Sequence, residues 1–337
     1  MAKKAGRGYG LGIDLGGTKI LAGVIDLDNG DVLATAKKRT RAERGETELL
    51  DRLGDVAEEA LDAAKLPKGA TVHGAGVAAA GQIDAARGTI IGSPNLPGVI
   101  NASVGPVLSK RLKLPVRLAN DVQGAAMGEL GFGAGQGVDR ALCVFVGTGI
   151  GGALIDSGRL DSGVTTTAGE IGHTVVAADG RYCGCGGRGH LEAYASRTAI
   201  TKRLLEELRR GRHSVLRDLL KEEGGDAGEP EAIRSGMIAK AVEDNDELML
   251  EVLREAAHYL GLGLASAINF FNPQRIILGG GVVEAVPLFV ELVQPIALRE
   301  ALPVPANAVE LVAAKLGDNA GIVGAALLGS ESEGTRE

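Results

Sequence analysis

Large aromatic side chains are scarce in this chain. Tryptophan is absent and aromatic residues make up only 3% of the 337 positions, whereas glycine occurs 52 times. Many tight turns and close backbone approaches are therefore expected. Hydrophobic residues still make up 45% of the sequence, which is enough to fill the cores of about two domains of ordinary size.

An excess of basic residues is also missing. The net charge of −7 argues against a general nucleic-acid-binding protein, because such proteins usually present a basic face. It does not exclude an anionic nucleotide as ligand, since backbone N–H groups can bind phosphate without any side-chain charge.

Long apolar runs and a secretion signal are lacking as well. No uninterrupted apolar run approaches the roughly 20 residues of a membrane span, and the N-terminal residues 1–8 are basic but lack the apolar core of a signal peptide. The sequence therefore predicts a cytoplasmic protein without a membrane partner. Its three cysteines are expected to be metal ligands or buried thiols rather than disulfides, and Cys143, inside an apolar strand, is expected in the core.

Alternating strand and helix patterns follow one another along the chain. Residues 9–25 indicate strand, glycine turn and strand, and residues 141–156 repeat this arrangement. We interpret the repeat as an internal structural duplication, in which each half offers a glycine hairpin to a shared cleft. The predicted class is α/β with mixed sheets. The predicted domains are 1–119 with about 318–337, and 120–317.

The second glycine turn has a rival interpretation. Gly147-x-Gly149-x-x-Gly152 matches the dinucleotide-binding fingerprint, but that fingerprint needs a helix directly after the glycines. Residues 153–158 indicate a strand and a turn instead, so a dehydrogenase is disfavoured. The order Gly17-Thr18-Lys19 likewise does not match the GK[ST] ending of a Walker loop.

Two phosphate-binding β-hairpins explain both glycine turns better. Glycine lets backbone N–H groups approach phosphate without a Cβ in the way, and Thr18 and Thr148 add hydroxyl donors. Asp14 could hold Mg²⁺ through water, and Lys19 could neutralise phosphate. Either hairpin alone could equally be an ordinary turn. The predicted phosphate-binding residues are Asp14, Gly16, Gly17, Thr18, Lys19, Gly147, Thr148, Gly149, Gly151 and Gly152.

A candidate metal site lies at 173–190. His173, Cys183, Cys185 and His190 offer two imidazoles and two thiolates, a full tetrahedral zinc set without an open position. Such a closed set indicates a structural metal rather than a Lewis acid. The alternative is a pair of buried thiols beside a surface histidine.

Several motifs together resemble the ROK (repressor, open reading frame, kinase) sugar kinases. They are DLGGTK at 14–19, Asn120-Asp121 before a helix, VGTGIGG at 146–152, Glu170-x-x-His173, Cys183-x-Cys185-Gly186 and GGG at 279–281. The resemblance implies an actin-like ATPase (ribonuclease H-like) fold, ATP and Mg²⁺ as cofactors, Gly280 in the nucleotide site and a homodimer. The family usually has a third cysteine where this chain has His190.

The same resemblance implies a sugar site and a catalytic base. Phosphoryl transfer needs an acceptor for the hydroxyl proton, and Asp121 is the candidate, although Asn120-Asp121 could simply cap a helix. His173 could then give one ring nitrogen to zinc and the other to the sugar. The implied sugar-binding residues are Gly81, Asn95, Asn120, Asp121, Glu170, His173 and Glu192.

The predicted activity is transfer of phosphate from ATP to the 6-hydroxyl of a hexose, with glucose as the first choice. N-acetylglucosamine, N-acetylmannosamine, mannose and fructose stay open, because the contacts at the sugar 2-position lie in loops around Gln82 and 92–99. A transcriptional regulator is disfavoured, since the short stretch before the first strand leaves no room for a winged helix. A non-catalytic sugar sensor is disfavoured by Asp14, Lys19 and Asp121.

Overall fold

The computed structural model describes residues 8–93, 95–222 and 233–331; residues 1–7, where the sequence predicts no targeting signal, lie outside them. The chain divides into two compact units. Unit 1 contains the described residues up to Gly137, residues 162–166 and those from Lys315 onward, and unit 2 contains 138–161 and 167–314. The sequence predicts residues 120–137 in the second domain, whereas in the structure they belong with unit 1.

Unit 1 is built on a five-stranded mixed sheet in the order β3-β2-β1-β4-β8. Strands β1, β2 and β3 are antiparallel, while β4 and β8 run parallel to β1. A second sheet contains β5, β6 and β7. The strands are β1 (Tyr9–Leu15), β2 (Lys19–Asp26), β3 (Val32–Arg39), β4 (Val72–Ala79), β5 (Gln82–Asp84), β6 (Thr89–Gly92), β7 (Ile100–Ala102) and β8 (Val116–Asn120).

Four helices cover the main sheet of unit 1. They are α1 (Glu46–Ala64), α2 (Val104–Leu112), α3 (Asp121–Phe132) and α12 (Ala320–Ser330). Helix α1 buries Leu49, Leu53, Val56 and Ala60, a spacing of three to four residues that places one apolar face on the core. Helix α3 packs against α12 and follows β8 directly, which explains why residues 120–137 belong with unit 1.

Helix α12 approaches its neighbours unusually closely. A Cβ atom at Gly12 of β1 would overlap the carbonyl oxygen of Ile322, and one at Gly324 would overlap the carbonyl oxygen of Gly124 on α3. Backbones therefore meet here without side chains between them, and interiors are too closely packed to admit extra atoms. Some of the many glycines in this sequence are therefore needed for the close packing of α12.

Unit 2 repeats the strand order of unit 1. Its sheet has the order β11-β10-β9-β12-β13, again with three antiparallel strands followed by two parallel ones. The strands are β9 (Ala141–Val146), β10 (Ile150–Asp156), β11 (Arg159–Asp161), β12 (Arg275–Gly279) and β13 (Glu310–Ala313). The predicted duplication is confirmed at the level of topology, and Cys143 is buried in β9 as expected.

Unit 2 contains the remaining helices of the described chain. The longest, α8, buries Leu253, Ala257, Leu260, Leu264 and Ile268, the face that the sequence predicted. No helix within 8–93, 95–222 and 233–331 is both long enough and apolar enough to span a bilayer. The helices are α4 (Glu192–Ala195), α5 (Arg197–Arg209), α6 (Leu216–Glu222), α7 (Ser235–Glu243), α8 (Glu247–Phe271), α9 (Gly281–Ala285), α10 (Leu288–Glu300) and α11 (Pro303–Ala308).

Candidate functional site

The first glycine hairpin joins β1 to β2 in unit 1. The N–H of Gly16 donates to the carbonyl of Lys19 at 3.0 Å, which closes the turn, and Gly17 and Thr18 are exposed at its tip. Thr40 supports this tip, because its hydroxyl donates to the Gly16 carbonyl at 2.6 Å and its N–H donates to the Thr18 carbonyl at 2.9 Å. Thr40 is fully buried, and its local sequence contains no signal of this role.

A group of charges surrounds Asp14 at the end of β1. Burial, with the nearby Asp121 as the second cause, raises the pKa of Asp14 to about 6, and Lys19 partly opposes this rise. Lys19 Nζ lies 3.6 Å from a carboxylate oxygen of Asp318. Sequence reasoning missed Asp318, because nearly three hundred residues separate it from the hairpin it faces.

The raised pKa of Asp14 predicts a stability penalty at neutral and alkaline pH. A folded-state pKa of about 6 against the ordinary aspartate value of 3.8 means that the folded protein binds this proton more tightly than the unfolded chain. The resulting stability is complete below pH 3.8 and is lost as the pH rises through about 6. Asp14→Asn should therefore raise the free energy of unfolding by about 3 kcal/mol at pH 8 and by about half as much at pH 5.

Urea unfolding of the wild type and Asp14→Asn at both pH values measures this difference. Asp318→Asn is the matched control, because that side chain is 83% exposed and its removal should change stability by under about 0.5 kcal/mol. An Asp14→Asn variant that is less stable than the wild type at pH 8 would contradict the prediction.

Helix α3 begins at the predicted catalytic carboxylate. Asn120 is its N-cap residue, and both Asn120 Oδ1 and Asp121 Oδ1 accept the N–H of Val122 at 3.0 Å. Burial raises the pKa of Asp121. Asn120 Nδ2 donates to the Gly81 carbonyl at 3.2 Å. The structure thus brings Gly81, Asn120 and Asp121 together, and the capping role of Asn120 is present alongside any contact with a sugar.

The loop that contains Asn95 lies against the first hairpin. A Cβ atom at Gly17 would lie 2.7 Å from the carbonyl oxygen of Asn95, so only glycine allows this approach. The predicted phosphate turn and the predicted sugar loop therefore meet within unit 1. Asn95 itself is exposed to solvent.

Gln123 is a further residue beside Asp121 that sequence reasoning missed. Its Nε2 donates to the carbonyl of Thr166 at 3.1 Å, and the residue is only 8% exposed. This hydrogen bond attaches residues 162–166 to the first turn of α3. A glutamine on a helix usually indicates a solvated position, so the sequence contains no signal for this contact.

The second glycine hairpin joins β9 to β10 in unit 2. Gly147 N–H donates to the Gly149 carbonyl at 2.9 Å, and the chain continues as strand through Gly151 and Gly152. The segment after the glycines is a strand rather than a helix, so the Gly147–Gly152 pattern lacks the helix that dinucleotide binding requires, as predicted. Gly280 packs beside this hairpin, because a Cβ atom at Gly280 would lie only 2.7 Å from Val146 N.

Glu192 links the second hairpin to the cysteine pair. Its Oε2 accepts the N–H of Ile150 at 2.9 Å, and its Oε1 lies 3.7 Å from Cys183 Sγ. A Cβ atom at Gly149 would overlap this carboxylate. Glu192 therefore has two protein contacts in addition to the sugar-binding role that the resemblance implies.

The other two predicted sugar ligands of unit 2 follow β10 in a close-packed segment. A Cβ atom at Gly172 would overlap the carbonyl oxygen of Ile150, which places residues 169–173 directly against the strand. His173 N–H donates to the Glu170 carbonyl at 3.1 Å. His173 is half-buried, whereas Glu170 is exposed.

The predicted metal ligands converge at one point. One donor atom each of His173, Cys183, Cys185 and His190 lies within 4.8 Å of all the others. Cys183 Sγ is 3.8 Å from His173 Nδ1, and Cys185 Sγ is 3.2 Å from His190 Nδ1. Ligands around a tetrahedral zinc lie roughly 3.3–3.8 Å apart. The four residues therefore fit a closed zinc site.

Comparison with known proteins confirms the family resemblance that the sequence motifs indicate. The model of the ROK family matches residues 10–332. Glucokinase from Thermotoga maritima is 32% identical over 324 residues, covering 96% of this chain and 98% of that protein. The crystal structure of a ROK family glucokinase from Streptomyces griseus in complex with glucose and AMPPNP has a TM-score of 0.81 and 33% identity, covering 96% of this chain and 100% of that chain.

A regulator of the same fold is also similar. A ROK family transcriptional regulator, described as a homologue of the E. coli MLC protein, has a TM-score of 0.81 and 28% identity, and the match covers 95% of this chain and 77% of that chain. These likenesses and the repeated mixed sheets confirm the predicted actin-like ATPase fold.

Proposed function

Because the chain belongs to the ROK family, we propose that it is an ATP-dependent kinase that phosphorylates the 6-hydroxyl of a hexose, with glucose as the first candidate. The observation that supports this most directly is the half-buried Asp121 carboxylate at the start of α3, held by the Val122 N–H. An enzyme using ATP and hexose would work in the cytoplasm.

The residues of unit 1 would supply a proton acceptor and donors for phosphate. Asp121 would accept the proton of the attacking sugar hydroxyl, and Asn120 would hydrogen-bond to a neighbouring hydroxyl of the same sugar. Asp14 would hold Mg²⁺ through water, and bound Mg²⁺ would neutralise charge on the transferring phosphate. The exposed tip of Gly17 and Thr18, with Lys19 behind it, offers N–H, hydroxyl and ammonium donors to phosphate.

The residues of unit 2 supply further donors and acceptors. Thr148 and Gly149 present a second glycine turn to phosphate, and Glu192, His173 and Glu170 offer acceptors for sugar hydroxyls. A polyol site needs many charged acceptors, because unpaired buried hydroxyls are costly. The Streptomyces griseus glucokinase, with glucose and AMPPNP bound, supports glucose and ATP as the pair to test first.

A coupled ADP-release assay over a panel of hexoses and N-acylhexosamines tests the activity and its substrate. We expect turnover with glucose, and ³¹P NMR of the product should show the 6-phosphate. Faster turnover of N-acetylglucosamine, N-acetylmannosamine, mannose or fructose would replace glucose as the substrate. Sugar binding by calorimetry without ADP release from any sugar would instead support a sensor or a regulator.

We also propose that His173, Cys183, Cys185 and His190 bind one structural zinc ion. Purified protein should contain about one zinc per chain, and His190→Ala should lower this content while raising the KM for glucose more than the KM for ATP, because His173 would lose its orientation. His190→Cys should keep the metal, and the exposed His213→Ala is the matched control. Well under one zinc per wild-type chain by elemental analysis would refute the site.

The implied homodimer stays a prediction. Exposed apolar residues on unit 2 offer a surface for it: Phe270 is 95% exposed, Val304 83% and Leu302 64%. Asn269 Oδ1 accepts the N–H of Leu302 at 2.8 Å, so these positions are neighbours. Analytical ultracentrifugation of the wild type would determine the state.

A further inference from the structure

A guanidinium group lies at the second glycine hairpin, outside every motif that pointed to this site. Arg197, the first residue of α5, donates from Nη2 to Thr148 Oγ1 at 2.8 Å. Its backbone N–H donates to the Gly147 carbonyl at 2.9 Å, and Thr198 Oγ1 donates to the Thr148 carbonyl at 2.7 Å. Two consecutive residues therefore hold the tip of the hairpin in place.

This arrangement leaves donors of the hairpin available. In the part of the chain that the structure describes, the N–H groups of Thr148 and Gly149 have no protein acceptor. The Thr148 hydroxyl accepts from Arg197, so its own proton can be donated elsewhere. Two amides and one hydroxyl at one turn match the acceptor oxygens of a phosphate group.

The charges at the hairpin also require a cation. Glu192 lies next to the turn, with Oε2 on the Ile150 N–H, and its negative charge would repel a phosphate there. Arg197, which donates to Thr148 at the tip of the same hairpin, brings a positive charge to the turn. A guanidinium has five N–H donors in a fixed planar arrangement, so its contact with Thr148 leaves donors for an anion, and the residue is only partly buried.

We propose that Arg197 binds a phosphate group of the nucleotide donor, together with the tip of the second hairpin. This inference rests on the proposed kinase function and adds to it a cationic contact for the donor. It predicts that the residue affects affinity for polyphosphate and leaves affinity for the sugar unchanged.

Steady-state kinetics of Arg197→Gln, Arg197→Lys and the wild type test this. Lys202→Gln is the matched control, because Lys202 is exposed on the same helix and the change removes the same charge. We expect Arg197→Gln to raise the KM for ATP about tenfold, the lower range for a charge-assisted hydrogen bond. The KM for glucose should change less than twofold, Arg197→Lys should recover part of the loss, and Lys202→Gln should match the wild type.

Two competitive inhibitors separate phosphate binding from a merely loosened hairpin. Inorganic tripolyphosphate has the charge without the nucleoside, and adenosine has the nucleoside without the charge. In Arg197→Gln the Ki for tripolyphosphate should rise about tenfold, and the Ki for adenosine should stay within twofold. An unchanged tripolyphosphate Ki, or an equal rise in both constants, would overturn the proposal, with thermal melts verifying that each variant is folded.

The outcome is distinguishable from failure of the kinase assignment. If the wild type phosphorylates a hexose but Arg197→Gln keeps the wild-type KM for ATP, the kinase stands and the role of Arg197 falls. If the wild type phosphorylates no sugar, calorimetric titration with tripolyphosphate still compares wild type with Arg197→Gln. A loss of affinity confined to Arg197→Gln would then support the phosphate contact, and equal affinities would refute it.

Discussion

Asp121→Asn should lower kcat for hexose phosphorylation by about 10²–10⁴-fold, the usual contribution of a general base. The amide cannot accept the proton of the attacking hydroxyl. Its Oδ1 can still accept the Val122 N–H, and Asn120 keeps its own capping bond to the same group. The fold and the KM for the sugar should therefore change little.

Initial rates at saturating ATP and sugar, with circular dichroism melts of the same samples, test this expectation. Asp62→Asn is the matched control, since Asp62 is exposed on α1 and should retain wild-type turnover. Near-normal kcat in Asp121→Asn would remove this carboxylate from the mechanism. Burial raises the pKa of Asp121. Burial also raises the pKa of Asp14, in that case to about 6, so kcat/KM of the wild type should fall as the pH drops through about 6 and Asp14 becomes protonated.

Gly324→Ala should destabilise the protein by at least about 4 kcal/mol, which is exceptional for a single methyl group. The new Cβ would overlap the Gly124 carbonyl oxygen and approach Gly128 N on α3. Both obstacles are helix backbone, so no side-chain rotation can relieve the overlap, and α12 would have to move away from α3 and the sheet. With a typical total stability of only about 5–15 kcal/mol, much of the protein should be insoluble.

A second glycine in a helix provides the control for Gly324→Ala. Among the described residues, Gly236 in α7 has no atom within 4 Å of its Cβ position apart from its chain neighbours and the backbone of its own helix, so Gly236→Ala should stabilise the chain by up to about 1 kcal/mol through helix propensity and reduced unfolded-state entropy. Urea unfolding or differential scanning calorimetry of the two variants provides the comparison. A Gly324→Ala variant with wild-type stability would show that the helix contact can relax.

Much of the fold could be predicted from the sequence because its signals are local. The apolar spacing of α8, the glycine turns at Gly16–Gly17 and Gly147–Gly149 and the repeat of strand, turn and strand all lie within short windows. The convergence of His173 with Cys183, Cys185 and His190 was also predictable, since these residues lie within one short segment.

The residues that sequence reasoning missed depend on contacts between distant segments. Thr40 supports a turn more than twenty positions away, Gln123 holds residues 162–166, and Asp318 faces Lys19 from the other end of the chain. Arg197 reaches Thr148 across 49 positions. No local sequence pattern identifies these four residues. A polar residue near a helix start or at a strand end is usually solvated, so its position alone does not predict a tertiary contact.

The domain division shows the same limit. The direct passage from β8 into α3 was apparent from Asn120-Asp121, but which side of the boundary α3 joins depends on its packing against α12. That contact requires glycines at 124, 128 and 324 to face one another. The sequence shows the abundance of glycine and does not show which of them meet.

The close packing of α12 also affects the order in which the protein can be made. Strand β1, with the first phosphate turn behind it, leaves the ribosome early, whereas α12 emerges only after all of unit 2 has been translated. Until then Gly12 and Gly124 have no helix to cover them, so the sheet of unit 1 keeps one face open to solvent. Unit 2 is nearly continuous in the chain and can fold first. Nucleotide binding by the first hairpin should accordingly appear only after α12 has been made, so a nascent chain would not bind ATP there before unit 2 has been translated and can fold.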